Sequence, residues 1–238
     1  MRVPPCIGIN LFVGLALLCF SRVAHGSPQD DVAVLLQKAR PAVVTFSDGT
    51  TQWKGQTVSV GKLANGVVIV KARHMTLDTD GASQEIRACD RTAQPGTALT
   101  TPQGKPTDAN VIPYFVLPWC GGAANKERCK TNPPHHQLGL RKGNLAAVIL
   151  GDKLVFAIAA DLGPEKQFGE GSVDLHRRLG HETVSKHPTS PKCAKNESLN
   201  AAVLFVVFPG SNDRWLPADT IDEKGRTLWN QLLQSLGR

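Results

Sequence analysis

Two apolar runs separated only by Gly151, Asp152 and Lys153, LAAVIL over 145–150 and LVFAIAA over 154–160, constrain this chain more than any other stretch. A two-residue turn at Gly151-Asp152 predicts a β-hairpin. Neither arm alternates apolar with polar residues, so both must be buried on both faces or line the inside of a closed barrel. Further strands are predicted over 43–46, from Gly66 through Met75, over 112–117 and over 201–208. Pro113 and Pro118 put the 112–117 strand at a sheet edge or bend it. Helices are predicted over 30–40 and over 172–179, the second with Ser172 as N-cap and Gly180 as its stop. A last helix over 221–236 has Thr220 and Glu223 for a capping box and a leucine stripe for packing, with Gly225 weakening its first turns. Residues 92–110, rich in Gly, Pro and Thr, read as a long surface loop. Many short strands with few helices make a single mainly-β domain, a barrel or strongly curved sheet, with no internal repeat and no linker.

Residues 1–26 carry the pattern of a secretory signal: Arg2, an apolar core from Ile7 to Phe20, then Ala24-His25-Gly26 at a cleavage spacing. The core is short for a bilayer crossing, so the expectation is a secreted 27–238 domain, monomeric and without stable membrane association. That leaves Cys89, Cys120, Cys129 and Cys193. An even number in an oxidising compartment predicts two disulfides, with three possible pairings. The spacings contain no CxxC knuckle for zinc. Lys and Arg number 27 against 20 Asp and Glu. The excess is scattered and carries few interleaved aromatics, which argues against nucleic-acid binding. It gives no support to a cationic substrate either, so any such affinity would have to be local.

The strand LVFAIAAD ends in Asp161, and Glu170 follows a short loop, between two glycines and just before the predicted helix. An Asp at a strand end often caps a turn. If its side chain enters a cleft instead, the apolar approach raises its proton affinity. Helix N–H groups favour an ionised Glu170 as water-activating base, with Asp161 as proton donor; the reach of a Glu side chain fits the opposite roles. The residues alone leave both assignments open. Asp78 and Asp80 of LDTDG form a second acidic centre, suited to holding an ammonium or hydroxyls; the oxygen ligands of a complete calcium loop are missing. Asp108 and Tyr114, around the strand NVIPYFVLP, are further candidates for a sugar subsite, and Trp53, Trp119 and Trp215 for stacking on sugar faces. There is no HExxH, GxSxG, phosphate-binding or dinucleotide motif, and the histidines receive no catalytic role. No metal and no cofactor is expected.

MTLDTDG, DANVIPYFVLP, GNLAAVILGDKLVFAIAADLGPEKQFGEGSVDLHRRLG and AVLFVVFPG, in that order, resemble the landmarks of glycoside hydrolase family 75, the fungal-type endo-chitosanases, over roughly 67–210. The resemblance implies that Asp161 and Glu170 are the catalytic pair. It also implies cofactor-free, inverting hydrolysis of internal β-1,4 links in chitosan or a related β-linked polysaccharide, on a six-stranded double-psi β-barrel with added loops. Thr79 stands where the family often has Cys in D-C-D-G, so one customary disulfide is absent or rewired. Two other readings remain: a secreted polysaccharide-binding protein without turnover, or a scaffold protein without sugar affinity.

Overall fold

The hairpin over 145–160 forms as predicted and organises everything else. In a computed structural model describing residues 27–41, 58–119, 134–163, 168–185, 192–195 and 198–238, β6 (Leu145–Leu150) pairs antiparallel with β7 (Lys153–Gly163) through the Gly151-Asp152 turn. On its other side β6 pairs with β9 (Val203–Phe208), and β9 with β3 (Val68–Ala72). β2 (Val58–Lys62) and β1 (Arg40–Pro41) extend that edge. Beyond β7 come β5 (Tyr114–Pro118), parallel to it, then β8 (Glu170–Ser172) and β4 (Thr76–Asp78). The order β1-β2-β3-β9-β6-β7-β5-β8-β4 is one open mixed sheet of nine strands. The described strands therefore do not close into the six-stranded double-psi barrel that the resemblance implies, while the mainly-β, single-domain expectation holds.

The central strands are buried on both faces, as their continuous apolar runs require. Side chains alternate strictly between two cores. Ile69, Ala147, Phe156, Ile158 and Val206 enter one, and Val70, Val148, Ala157, Ala159 and Phe205 the other. The first core is covered by α1 (Pro28–Lys38) and α5 (Ala218–Ser235), through Leu35, Ile221, Trp229, Leu232 and Leu233. The second is sealed by Met75, Phe168 and Leu175 and Leu179 in and just after α4 (Val173–Arg178). Two one-turn helices, α2 (Gln84–Arg87) and α3 (Pro134–Gln137), complete the set among the described residues.

Several boundaries differ from expectation for local reasons. α1 is set by a Ser27–Asp30 capping box and begins at Pro28, two residues before the predicted start. α5 starts at Ala218 with Pro217 at its N-cap, so the Thr220–Glu223 capping box does not form. Gly225 has a packing reason: a Cβ there would sit 2.6 Å from the Phe156 Cβ, so helix and sheet touch at this point. β5 is interior, not an edge. Pro113 precedes the strand and Pro118 is its last residue, so neither interrupts the ladder. The predicted strand over 43–46 lies outside the described residues, as does the predicted leader.

Cys89 and Cys193 form a disulfide that spans a sequence separation of 104. This is one of the pairings that four cysteines allow; Cys120 and Cys129 lie outside the described residues. No described helix is long and apolar enough to cross a membrane.

Candidate active site

The acid end of β7 meets β5 through an irregularity. Tyr114 pairs with Ile158 and Phe115 with Ala159, but Val116 pairs with Asp161, so Ala160 is skipped. This bulge sets Asp161 opposite Val116. On the other side of β5, Phe115 pairs antiparallel with Gly171, which brings Glu170 level with the same Val116. Asp161 and Glu170 thus flank one residue, each carried on a different strand. β8 pairs in parallel with β4, aligning Glu170 with Thr76 and Ser172 with Asp78, and so brings the LDTDG turn to the same place.

The result is a cleft of about 520 Å³ lined by Asp78, Asp80, Asp90, Asp161 and Glu170, with Val116 and Trp119 among its walls. Asp161 is 7% exposed. Its Oδ1 accepts the Ala98 N–H at 2.9 Å and the Leu162 N–H at 2.8 Å, and its carboxyl is hydrogen-bonded to that of Asp80. The Asp78 Oδ1 accepts the Asp80 N–H at 2.9 Å, closing an Asx turn, and Gly81 leaves that turn at φ +74°. Asp80 accepts the Gln94 N–H through its own Oδ1, while its carbonyl accepts the Tyr114 hydroxyl at 3.0 Å. One oxygen each of Asp78, Asp80 and Asp161 lie within 4.8 Å of one another.

Crowded, partly dry carboxyls hold protons. Burial first, then the charges of Asp161, Asp80 and Asp90, pushes Glu170 up to about 7, against the opposing hydrogen bond from Thr76. Asp80 is raised to about 7, mainly by burial. Asp78 is raised well above the ordinary carboxyl range by burial and by Asp80 and Asp161. Asp161 is raised by burial too, but the N–H donors of Ala98 and Leu162, the hydrogen bond with Asp80 and the Lys142 charge all favour its anion.

Gly163 leaves room for this arrangement. A Cβ there would lie 2.6 Å from the Glu170 Oε2 and 2.8 Å from the Val116 Cγ1, so the Glu170 carboxyl rests over bare backbone. Trp119 extends the β5–β7 pairing by donating its N–H to the Gly163 carbonyl at 2.9 Å. Its ring packs on His135, whose Nδ1 lies 2.7 Å from the Pro118 carbonyl.

Of the residues singled out in the sequence, Asp78, Asp80, Asp161 and Glu170 come together. Asp108 does not join the walls of this cleft: its Oδ1 accepts the Asn110 N–H at 2.8 Å and closes a turn of its own. Tyr114 is 0% exposed and props the LDTDG turn from beneath. Trp215 packs against the helix-covered core, and Trp53 lies outside the described residues. Sequence reasoning missed Asp90, Lys142 and His135. Asp90, beside Cys89, had one available signal: the disulfide fixes its neighbour. Its Oδ2 accepts the Thr79 hydroxyl at 2.9 Å, so Thr79, in the position where the resemblance expects Cys, is held by a hydrogen bond.

The search of curated proteins finds no match to this chain. The family model described as fungal chitosanase of glycosyl hydrolase group 75 matches residues 75–238, more than two thirds of the chain and all five cleft carboxyls. Two acids, one buried and one half-buried, stand on the strands either side of β5, inside an acid-lined cleft and inside the matched segment, and the chain belongs to the group 75 glycosyl hydrolases, the fungal chitosanase family.

Proposed function

We propose that this protein is a secreted endo-chitosanase that cleaves internal β-1,4 links with inversion, with Asp161 as the water-activating base and Glu170 as the proton donor. The observation that carries this reading is the placement of the two acids on either side of Val116 in one carboxyl-lined cleft. The hydrogen-bonding surroundings support the roles. Asp161 receives donors that stabilise its anion, whereas Glu170 sits among carboxylates that keep it protonated near neutrality. This reverses the assignment that the helix N–H field alone would favour, because burial and neighbouring charges outweigh it.

Asp161 takes a proton from a water as that oxygen bonds to the anomeric carbon. The bond from that carbon to the leaving oxygen breaks, and Glu170 delivers its proton there; solvent then resets both acids. The Glu170 carboxyl lies over Gly163, two residues along β7 from Asp161, roughly 7 Å at strand rise.

Net basic charge is no obstacle, because the acidity is local. The Asp161 anion and Asp90 give the cleft a negative potential that an arriving glucosamine ammonium relieves, Asp78 can accept from it, and Trp119 offers a ring for a sugar face. Secretion is supported by the disulfide and by the signal pattern at 1–26.

The test uses purified protein on chitosan, chitin and neutral glucans, following new reducing ends, product length and product anomer. Hydrolysis of chitosan giving the inverted anomer is expected, with D161N and E170Q each folded and at least about a thousandfold slower. Activity confined to another polymer would overturn the substrate. Binding without new reducing ends would favour a carbohydrate-binding protein.

A further inference from the structure

We propose that Asp80 is a positioning residue for hydrolysis: its carboxyl holds a proton and donates it as a hydrogen bond to Asp161, keeping that base anionic and aimed. The proposal rests on the reading of Asp161 as the base.

Two hydrogen-bonded carboxyl groups need one proton between them, and the surroundings decide which group keeps it. Asp161 faces the Ala98 and Leu162 N–H groups and, at longer range, Lys142, whose Nζ donates to the Ala98 carbonyl at 2.7 Å. All of these favour its anion. Asp80 has one N–H donor, from Gln94, and faces Asp90 and Asp161, with Asp78 from β4 and Glu170 from β8 as further carboxyls of the cleft. The proton therefore resides on Asp80.

Asp80 is also held rigidly, as a positioning group must be. Its N–H is tied to Asp78, its carbonyl to the Tyr114 hydroxyl and its Oδ1 to Gln94. An oxygen of Asp80 lies within 4.8 Å of one of Asp161. Tyr114 contributes by fixing the Asp80 backbone from inside the core.

The same geometry makes asparagine an informative replacement. At position 80, the Gln94 N–H selects the amide oxygen and leaves the Nδ2–H for Asp161. D80N thus keeps the donor while removing the titration, and D80A removes both. We expect D80A to lower kcat about 10- to 100-fold with little change in KM, and to move the acidic limb of the kcat/KM profile up by about one pH unit as Asp161 loses a donor. D80N should recover at least tenfold of the kcat loss and return the acidic limb toward its wild-type position.

Three results would overturn the proposal. The first is D80A and D80N equally impaired through KM, which would make Asp80 an ammonium contact. The second is an unmoved acidic limb in D80A. The third is loss of wild-type activity in a chelator with rescue by a divalent cation, which would assign the acidic cluster to a metal. If D80A fails to fold by circular dichroism, D80N decides alone: kcat down a hundredfold or more sinks the proposal. Failure of the underlying reading is seen separately, as full activity in D161N.

Discussion

Phe156 and Asp161 stand on the same strand, yet their surroundings obey opposite rules. Around Phe156 contacts are close and charges are paired. Gly225 of α5 lies against its ring, and nearby the Arg226 guanidinium sits 6.0 Å from the ring centroid. The helices beside this core carry ion pairs, Asp31 with Arg238 at 3.0 Å and Arg178 with Asp222 at 2.7 Å. Around Asp161, five carboxyls share one cleft and none forms an ion pair with a described cation. One end of β7 is arranged for stability. The other tolerates electrostatic crowding, which the proposed acid–base chemistry would use, since it needs groups whose protons are poised near working pH.

The contrast can be broken from either side. At the packed end, G225A adds a methyl where Phe156 already is. Despite the better helix propensity of alanine, it should lower unfolding free energy by about 1–3 kcal/mol in urea while leaving turnover per folded molecule unchanged. Unaltered stability would mean that α5 shifts freely over the sheet.

At the acid end the sign reverses. A raised folded-state pKa means that the native protein holds this proton more tightly than the unfolded chain does. The Glu170 contribution is therefore full below about pH 4.5, declines as pH rises and is lost through about 7. E170Q, inactive by expectation, should be more stable than wild type by roughly 1–2 kcal/mol at pH 8 and close to it at pH 4. Equal melting profiles across that range would show that burial does not strain this acid. The smallest effect belongs to the join between the regions. T79V removes the buried hydroxyl bonded to Asp90, which keeps its bonds to Thr92, and should cost about 1 kcal/mol.

How much of this was legible in the sequence follows the same division. Strands buried on both faces announce themselves by unbroken apolar runs, and β3, β6, β7 and β9 lie where those runs are. β2 was overlooked, and α2 and α3 are too short for any periodicity to build up. The setting of Asp161 and Glu170, a strand end and a glycine-flanked Glu, left a turn cap as open as a cleft, and the family resemblance singled out the two acids that the strands bring to one cleft. The binding candidates Asp78 and Asp108 were not separable from each other, nor from the overlooked Asp90. Each accepts the N–H two residues on, so all three are local Asx turns of the same kind. Only the β4–β8 pairing and the Cys89 disulfide bring two of them to the cleft, and such long-range contacts leave no trace in a local window. Tyr114 shows the converse: its neighbours fitted a sugar subsite or a core equally well, and burial decided.

The residue skipped between β5 and β7 has a further consequence. Were Ala160 paired with Val116, Asp161 would move one step along the ladder and turn to the opposite side of the sheet. The proposed chemistry thus depends on a miscount in backbone pairing as much as on the presence of an acid. Ironing out the bulge with every residue kept would leave composition untouched and still carry Asp161 away from its place opposite Val116. Transplanting the acid onto a related sheet succeeds only if it lands opposite the same cross-strand residue.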